Sequence, residues 1–157
     1  MKTEFKEEQQ FRQWWVWLLL LSIGSLPITA YYFKFESNKP MTKDDVIVFV
    51  PLYILFLLFF FFLKLKTNIN KDTVSLIFFP LYKKSVKWTD IKSAEVLNYG
   101  FVGGYGIRLW TKYGTVYNTS GKIGLAITLN SGDKFLIGTH KEEELKAIIQ
   151  NIKSLHE

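Results

Sequence analysis

The stretches that decide the fold are two apolar runs, WWVWLLLLSIGSLPITAYYF at 14–33 and VIVFVPLYILFLLFFFFL at 46–63. The first has 20 residues and the second has 18, and neither contains Asp, Glu, Lys, Arg or His. As α-helices they would be about 30 Å and about 27 Å long, which matches the hydrocarbon core of a bilayer. A helix of a soluble protein rarely stays apolar on every face over this length. We therefore predict two membrane-spanning helices.

The first run could also be a cleaved signal peptide, because it is apolar and lies near the N-terminus. The flank before it carries as many acidic as basic residues, and Ile28 with Ala30 makes a poor small-residue cleavage site. Aromatic residues mark both ends of the run, as in a membrane-interface belt: Trp14, Trp15 and Trp17 at one end, Tyr31 and Tyr32 at the other. These features favour an uncleaved span.

Lysine and arginine counts near the two runs predict the orientation. Three lie before the first run, three lie in the connecting segment 34–45, and six lie between residues 64 and 87. A two-helix hairpin places both termini on one side, so nine basic residues stand against three. Because basic flanks are retained in the cytoplasm, we predict a multi-pass protein of the cytoplasmic (inner) membrane with both termini cytoplasmic.

Ionisable groups are absent from both runs. Transporters, proton relays and channels usually place such a group at membrane depth, so the hairpin is interpreted as an anchor. The 157-residue chain also contains no Cys and only two His, which excludes disulfide frameworks, thiolate metal sites, cysteine nucleophiles and multi-His centres. No spacing supports a nucleophile with its base. We predict a protein that is not an enzyme and uses no cofactor or metal.

Residues 64–157 form the second predicted part of the chain, after a first part at 1–63 that consists of the flank and the hairpin. The second part holds 14 Lys and Arg against 8 Asp and Glu, a net charge of +6, which is the whole excess of the chain. Runs of β-type residues between turn residues predict seven or eight strands. The runs are 64–70, 73–79, 84–88, 93–98, 107–112, 114–118, 124–129 and 134–137.

The end of the chain changes from strand to helix periodicity. The segment Asn130-Ser-Gly-Asp133 predicts a hairpin turn between the last two strands. After it, Thr139 with Glu142 fits a capping box. One apolar stripe follows at helical spacing, made of Leu145, Ile148, Ile149, Ile152 and Leu155. We predict an amphipathic helix that covers an open end of the sheet.

Seven strands followed by one C-terminal helix is the plan of the pleckstrin-homology-like fold. The chain resembles the bacterial membrane-anchored members of this group, in which two spans precede the domain. The stretches that carry the resemblance are Glu7 to Trp14, Trp88-Thr-Asp-Ile91, Ser93-Ala-Glu95, Gly104-Tyr-Gly-Ile-Arg108, 121–129 and Gly132 to Gly138. The resemblance implies a membrane α+β protein, with a transmembrane hairpin and a seven-stranded barrel or sandwich capped by the helix. It brings no catalytic residues.

In eukaryotic relatives of that group, a basic pocket between early strands binds phosphoinositides. Basic residues of the matching region are therefore candidates for contact with anionic lipid: Lys64, Lys66, Lys83, Lys84, Lys87 and Arg108. Arg108 is the only Arg of residues 64–157 and suits a bidentate anion contact, although a surface ion pair is the simpler interpretation. Because the lysines are scattered, no nucleic-acid partner is predicted. Trp88, Phe101 and Trp110 are expected to pack in the core or across hairpins.

The run at 73–79 is apolar on both sides, unlike a half-exposed strand. Either its own domain covers both sides, or one side docks on a partner through residues of the set Val74, Leu76, Ile77, Phe78 and Phe79. The function predicted from the sequence is a non-enzymatic, membrane-anchored binding or scaffolding module with a protein partner or a second copy. The alternative is a membrane protein that senses anionic lipids.

Overall fold

The computed structural model describes residues 4–33 and 42–156 of the chain. These residues fall into two compact units, a helical pair between Phe11 and Leu63 and a larger unit made of the residues before Phe11 and after Leu63. The larger unit is therefore assembled from two separate stretches of the chain.

The helical pair consists of α1 (Trp14–Phe33) and α2 (Lys43–Phe62). Both are long and apolar enough to cross a membrane, and only Gly24 among their residues is buried. The ring of Tyr53 occupies the space that a side chain at residue 24 would need, and the Tyr53 hydroxyl donates a hydrogen bond to the carbonyl oxygen of Leu20. A residue without a side chain thus lets the two helices approach closely.

The first helix has the predicted bounds, but the second begins three residues earlier than the predicted 46–63 and ends one residue earlier. Thr42 accepts a hydrogen bond from the Asp45 backbone N–H, and the Asp45 carboxylate accepts one from the Thr42 backbone N–H. This capping box starts the helix ahead of the apolar run, and the acidic residues of its first turn favour the positive end of the helix dipole. At Leu63 the backbone is already extended.

Two sheets make up the larger unit. The first is antiparallel and has the order β1-β2-β3-β4. Its strands are β1 (Phe5–Gln10), β2 (Lys64–Ile69), β3 (Thr73–Phe79) and β4 (Tyr82–Lys87). A short 3₁₀ turn at Trp88–Asp90 leads to the second sheet.

The second sheet has the order β5-β8-β9-β7-β6, in which only the β7–β9 pair is parallel. Its strands are β5 (Ile91–Asn98), β6 (Gly106–Thr111), β7 (Gly114–Asn118), β8 (Ile123–Leu129) and β9 (Lys134–Gly138). The predicted turn at 130–133 joins β8 to β9, where the Leu129 N–H donates to the Asp133 carbonyl at 2.9 Å. This hairpin is confirmed.

The core of the larger unit lies between the sheets and under the C-terminal helix α3 (Glu142–His156). The first sheet contributes alternate residues such as Leu65, Leu76 and Phe78, because neighbouring side chains of a strand point to opposite faces. From the second sheet come Leu125, Ile127, Phe135 and Ile137, and from α3 come Leu145, Ile148, Ile149 and Ile152. Leu155, predicted as part of the stripe, is exposed.

The first strand was not predicted, because FKEEQQ resembles a charged flank. In the structure, its residues pair one by one with β2, from Phe5 opposite Ile69 to Gln10 opposite Lys64. The described residues thus contain nine strands, against the seven or eight predicted, and eight of them follow the helices. The domain boundary differs in the same way from the predicted 64–157, since residues up to Gln10 belong to the same unit.

Two polar side chains of β1 point into the protein and are hydrogen-bonded there. The Glu7 carboxylate accepts from the Thr139 hydroxyl at 2.6 Å and from the His140 backbone N–H at 2.9 Å. Gln9 donates to the Gly138 carbonyl and accepts from the Thr119 hydroxyl, both at 2.8 Å. Buried polar atoms require such partners, so these bonds tie the first strand to the junction between β9 and α3.

Candidate interaction surfaces

The lysines predicted to contact lipid are divided between different faces of the larger unit. Strand register places Lys64, Lys66, Lys83 and Lys87 on the outer face of the first sheet, where Glu8 lies opposite Lys66 and Ile77 opposite Lys83. We call this surface the outer face. With Lys6 and neighbouring residues of β1 to β4, part of it lines a shallow depression of about 630 Å³.

Glu8 neutralises part of the outer face. Its carboxylate lies 2.8 Å from Lys64 Nζ and 3.0 Å from Lys66 Nζ. The hydrogen bond from Lys64, followed by the one from Lys66, lowers the pKa of the Glu8 carboxyl below its usual value. A carboxylate between two lysines competes with a phosphate for the same donors, so Lys64 and Lys66 form a poor pocket for a lipid headgroup.

The two remaining basic candidates lie elsewhere. Lys84 is on the inner side of β4, one residue after Lys83, and its Nζ lies 4.3 Å from the centre of the Phe135 ring. Arg108 belongs to β6, where it pairs with Val116 of the second sheet. The six predicted residues therefore do not converge on one site.

Arg108 packs against the glycine-rich segment that leads into β6. Its Nη2 is 2.5 Å from the position that a Cβ of residue 104 would take, and Gly104 has a φ of +121°. The Arg108 Nε is enclosed and has no hydrogen-bond partner among the described residues. The side chain thus supports a loop conformation that requires glycine, and it stands apart from the outer face.

The predicted docking strand, β3, has alternating burial. Val74, Leu76 and Phe78 are buried in the core, so they cannot meet a partner in the folded protein. Ile77 is half-buried on the outer face, and Phe79 is exposed at the end of the strand. One apolar side of β3 therefore packs in the core, and the other side forms part of the protein surface.

The turn between β3 and β4 exposes three large apolar residues. Phe79 is 47% exposed, Leu81 is 56% exposed and Tyr82 is 41% exposed. The Leu81 N–H donates to the Phe78 carbonyl at 2.8 Å, which closes the turn. The Tyr82 ring stacks on that of Tyr117, with centroids 5.5 Å apart and an angle of 7° between the planes. We call Phe79, Leu81 and Tyr82 the turn surface.

A second exposed apolar group lies at the hairpin between β6 and β7. The β6–β7 register shifts between Arg108 and Thr111, and this bulge leaves Leu109 53% and Trp110 94% exposed. Trp110 has a φ of +55°, the left-handed conformation that a bulky L-residue adopts at a cost of about 1–2 kcal/mol. Strain that holds a large apolar side chain in solvent points to a function for that side chain.

Basic residues surround this bulge. Lys84, Lys112 and Lys134 line an open groove of about 500 Å³ beside Leu109 and Trp110, and Asp133 is the acidic residue in its lining. Lys112 Nζ lies 4.9 Å from the centre of the Tyr113 ring. We call Leu109, Trp110 and these three lysines the bulge surface.

The expectation that Phe101 and Trp110 pack in the core or across hairpins is wrong, since Phe101 is 83% exposed and Trp110 is nearly fully so. Trp88 does pack, and its Nε1 donates to the Asn70 carbonyl at 2.7 Å. The available signal for Trp110 was its position in LWTKYG, directly before a short turn that contains glycine. Bulged hairpins present such residues outward.

Among residues 4–33 and 42–156, no three His, Asp or Glu side chains gather in an arrangement that could hold a metal ion. No protein-family model matches the chain, and no curated protein gives a significant sequence match to it.

Proposed function

We propose that this protein is a non-enzymatic, membrane-anchored binding module whose pleckstrin-homology-like domain works at the cytoplasmic face of the inner membrane. One observation carries the proposal. A pair of apolar helices with almost no buried residues is inserted between two strands, β1 and β2, that pair with each other. Exposed apolar surface of this extent is stable in lipid rather than in water.

The ladder between β1 and β2 supports the predicted hairpin topology. Gln10 pairs with Lys64, residues 11–13 connect β1 to α1, and Leu63 alone connects α2 to β2. Paired residues of neighbouring strands lie about 5 Å apart, which supports a topology with the two ends of the helical pair on the same side of a membrane. The nine-to-three excess of basic residues favours the cytoplasm as that side.

The pleckstrin-homology-like assignment is supported by two sheets of four and five strands followed by one C-terminal helix. The chain departs from the seven-strand expectation, because β1 precedes the helices and completes the first sheet. An insertion between two paired strands preserves their sheet, so this departure is compatible with the proposed fold.

The proposed ligand is a protein segment that carries acidic residues beside an apolar one, and it binds at the bulge surface. The exposed Trp110 and Leu109 provide apolar contact area, and three lysines against one Asp provide the charge complementarity. Tryptophan is among the residues that contribute most to protein interfaces. The Lys84 ammonium is already held over an aromatic ring, which reduces the entropy lost when it binds.

One pair of side chains resembles part of a catalytic site. Ser120 Oγ lies 2.5 Å from His140 Nε2 at the surface. A serine nucleophile also needs a group that orients the histidine, and no described carboxylate is hydrogen-bonded to the His140 ring. The pair joins the segment after β7 to the segment before α3, and we interpret it as structural.

Anchoring and orientation can be tested together, because the chain has no cysteine of its own. Single cysteines at Ser37 and at Ser154 are treated with an impermeant thiol reagent in intact cells. We expect labelling at residue 37 alone, and extraction of the protein from membranes by detergent but not by alkaline carbonate. Labelling at residue 154 alone would reverse the orientation, and labelling at both would eliminate the hairpin.

Partner binding can be tested with a photoreactive benzoyl-phenylalanine at Leu109 in living cells. We expect a discrete protein adduct that disappears when Trp110 is also replaced by alanine. The control carries the same photoreactive residue at Phe101, which is also exposed but has none of the three lysines beside it, and should give no such adduct. Adducts with lipid alone would refute the protein ligand and favour the alternative function, sensing of anionic lipids.

A further inference from the structure

The turn surface lies at a particular end of the first sheet. Phe79 pairs with Lys64, and Lys64 pairs with Gln10. Gln10 and Lys64 are the last and first residues of the two strands that continue into the helices. Phe78 pairs with Tyr82 in the next ladder, so the whole turn is at the end of the sheet from which the chain leaves for the helices.

From this register we propose that the turn surface inserts into the interface of the same bilayer that holds the two helices. The proposal rests on the membrane anchoring proposed above and adds a second, separate contact. Chain connectivity identifies lipid as the surroundings of the turn. Leu63 alone separates the apolar α2 from Lys64, which pairs with Phe79. The end of a strand that follows a spanning helix so closely lies at the lipid headgroups.

The chemistry of the turn fits an interface. Phe79 and Leu81 are apolar, whereas Tyr82 combines an apolar ring with a polar hydroxyl, the kind of side chain that is enriched at headgroup depth. Lys83 follows the turn, and its long apolar stem allows the ammonium group to reach the phosphates. Exposed apolar residues with flanking lysines are the pattern of segments that lie in the membrane plane.

Insertion at this end leaves the bulge surface in water. Tyr117, which stacks on Tyr82, lies three residues from Gly114 along β7, a distance of about 10 Å in an extended strand. In the same direction along β4, Lys84 follows Tyr82 and reaches Phe135. The two exposed apolar groups therefore have different surroundings, lipid for the turn surface and solvent for the bulge surface.

The experiment uses the full chain in nanodiscs made of equal parts of phosphatidylcholine and phosphatidylglycerol. Single cysteines at Leu81, at Ser85 and at Leu58 carry an environment-sensitive nitrobenzoxadiazole label. Ser85 is the matched control, since it is exposed on the outer face of β4, the strand that follows Leu81, about 13 Å beyond it. Leu58 of α2 reports on anchoring itself.

We expect the label at residue 81 to emit at shorter wavelength than the label at residue 85. Its quenching by aqueous iodide should be several-fold weaker, and lipids brominated near the headgroup should quench it. Equal iodide quenching at residues 81 and 85, with protection at residue 58, would refute insertion of the turn and leave anchoring intact. Exposure at residue 58 would refute the anchoring, and the insertion with it.

A second variant tests insertion with the label at a different position, so that a disturbance caused by the label at residue 81 cannot decide the result. Leu81→Glu places a charge at the turn without entering the core, because Leu81 is exposed. With a label on a cysteine at Tyr82, we expect this substitution to abolish the protection from iodide, whereas Leu155→Glu at the exposed end of α3 should leave it unchanged. Protection that survives Leu81→Glu would show that the turn is covered by protein instead.

Discussion

The two edge strands of the first sheet, β1 and β4, are held against the rest of the domain by different means. The inner side of β1 carries Glu7 and Gln9, whose side chains make four hydrogen bonds to residues between Thr119 and His140. On the inner side of β4, Tyr82 and Lys84 instead contact aromatic rings. The strand β1 is held by buried hydrogen bonds of polar side chains, and β4 is held by contacts of partly exposed side chains with aromatic rings.

This difference indicates a division of roles. Buried hydrogen bonds leave the inner side of β1 no surface to offer a ligand, so Glu7 and Gln9 serve the fold. The strand β4 supplies Tyr82 to the turn surface and Lys84 to the bulge surface, and both residues remain accessible. Substitutions of Glu7 or Gln9 should therefore change stability alone, whereas substitutions of Tyr82 or Lys84 should also change binding.

The largest effect is expected from Glu7→Ala. It leaves the buried Thr139 hydroxyl and the His140 N–H without their acceptor, and each unpaired group costs about 1–3 kcal/mol. We expect the free energy of unfolding of the domain to fall by about 3 kcal/mol, measured by urea titration in detergent micelles. The matched variant is Glu8→Ala, which removes only exposed ion pairs and should cost less than about 1 kcal/mol. Equal losses in the two variants would end the distinction between the inner and outer sides of β1.

The stacking of Tyr82 on the buried Tyr117 predicts that the folded protein loses stability at alkaline pH. Burial, followed by the neighbouring Tyr82 hydroxyl, raises the pKa of Tyr117 well above its ordinary value of 10.0. Above pH 10 the unfolded chain releases this proton while the folded protein keeps it, so the folded state loses stability as the pH rises, by up to about 1.4 kcal/mol per pH unit. Burial also raises the pKa of Tyr99, with the same sign.

Thermal unfolding between pH 8 and pH 11 measures this loss, with the pH range chosen around the ordinary tyrosine value. Tyr117→Phe should flatten the alkaline decline, because the titrating group is gone. If Tyr117→Phe loses stability with rising pH as steeply as the wild type, Tyr117 is not the group whose ionisation destabilises the folded protein.

A smaller effect of opposite sign is expected at the bulge surface. Trp110→Gly removes the strain of a left-handed tryptophan and should raise the free energy of unfolding by about 1 kcal/mol, while it abolishes the protein adduct at residue 109. Trp110→Ala keeps a side chain at the same φ and should abolish the adduct without this gain. Destabilisation by glycine would mean that the tryptophan ring supports the fold, contrary to its exposure.

The smallest expected effect is a difference in stability between substitutions of the adjacent residues Lys83 and Lys84. Lys84→Gln removes the cation above the Phe135 ring and should cost about 0.5–1 kcal/mol, whereas Lys83→Gln on the outer face should cost almost nothing. Chemical denaturation of the two variants in parallel measures the difference. An equal cost would contradict the assignment of these neighbours to opposite faces.

Much of the architecture was predictable from periodicity. The apolar runs located both helices, and the eight β-type runs after residue 63 correspond to β2 to β9, because core burial imposes a period of two on each strand. The strand β1 was missed since two of its three inward residues are Glu7 and Gln9. Their partners, Thr119 and Gly138 to His140, are more than 100 residues away, and a local pattern cannot show such a pairing.

The candidate surfaces were less predictable for a related reason. Lys83 and Lys84 were both predicted to contact lipid because both are basic. Adjacent residues of a strand point to opposite faces, so the two side chains lie on different surfaces. The interpretation of β3 as a docking strand could not tell which of its two apolar sides was the core. The exposure of Trp110 depends on a bulge and a positive φ, and those are fixed by the pairing of β6 with β7 rather than by the residue itself.

The position of the helices between two paired strands also governs the order of events during synthesis. The strand β1 leaves the ribosome first but can find its partner only after the whole helical pair and β2 have been translated, more than 50 residues later. Until then its ladder and its four side-chain hydrogen bonds are unmade. Closure of the first sheet is therefore a late step in synthesis, and a helical pair that spans a membrane would permit it only if both of its ends lay on the same side of the bilayer.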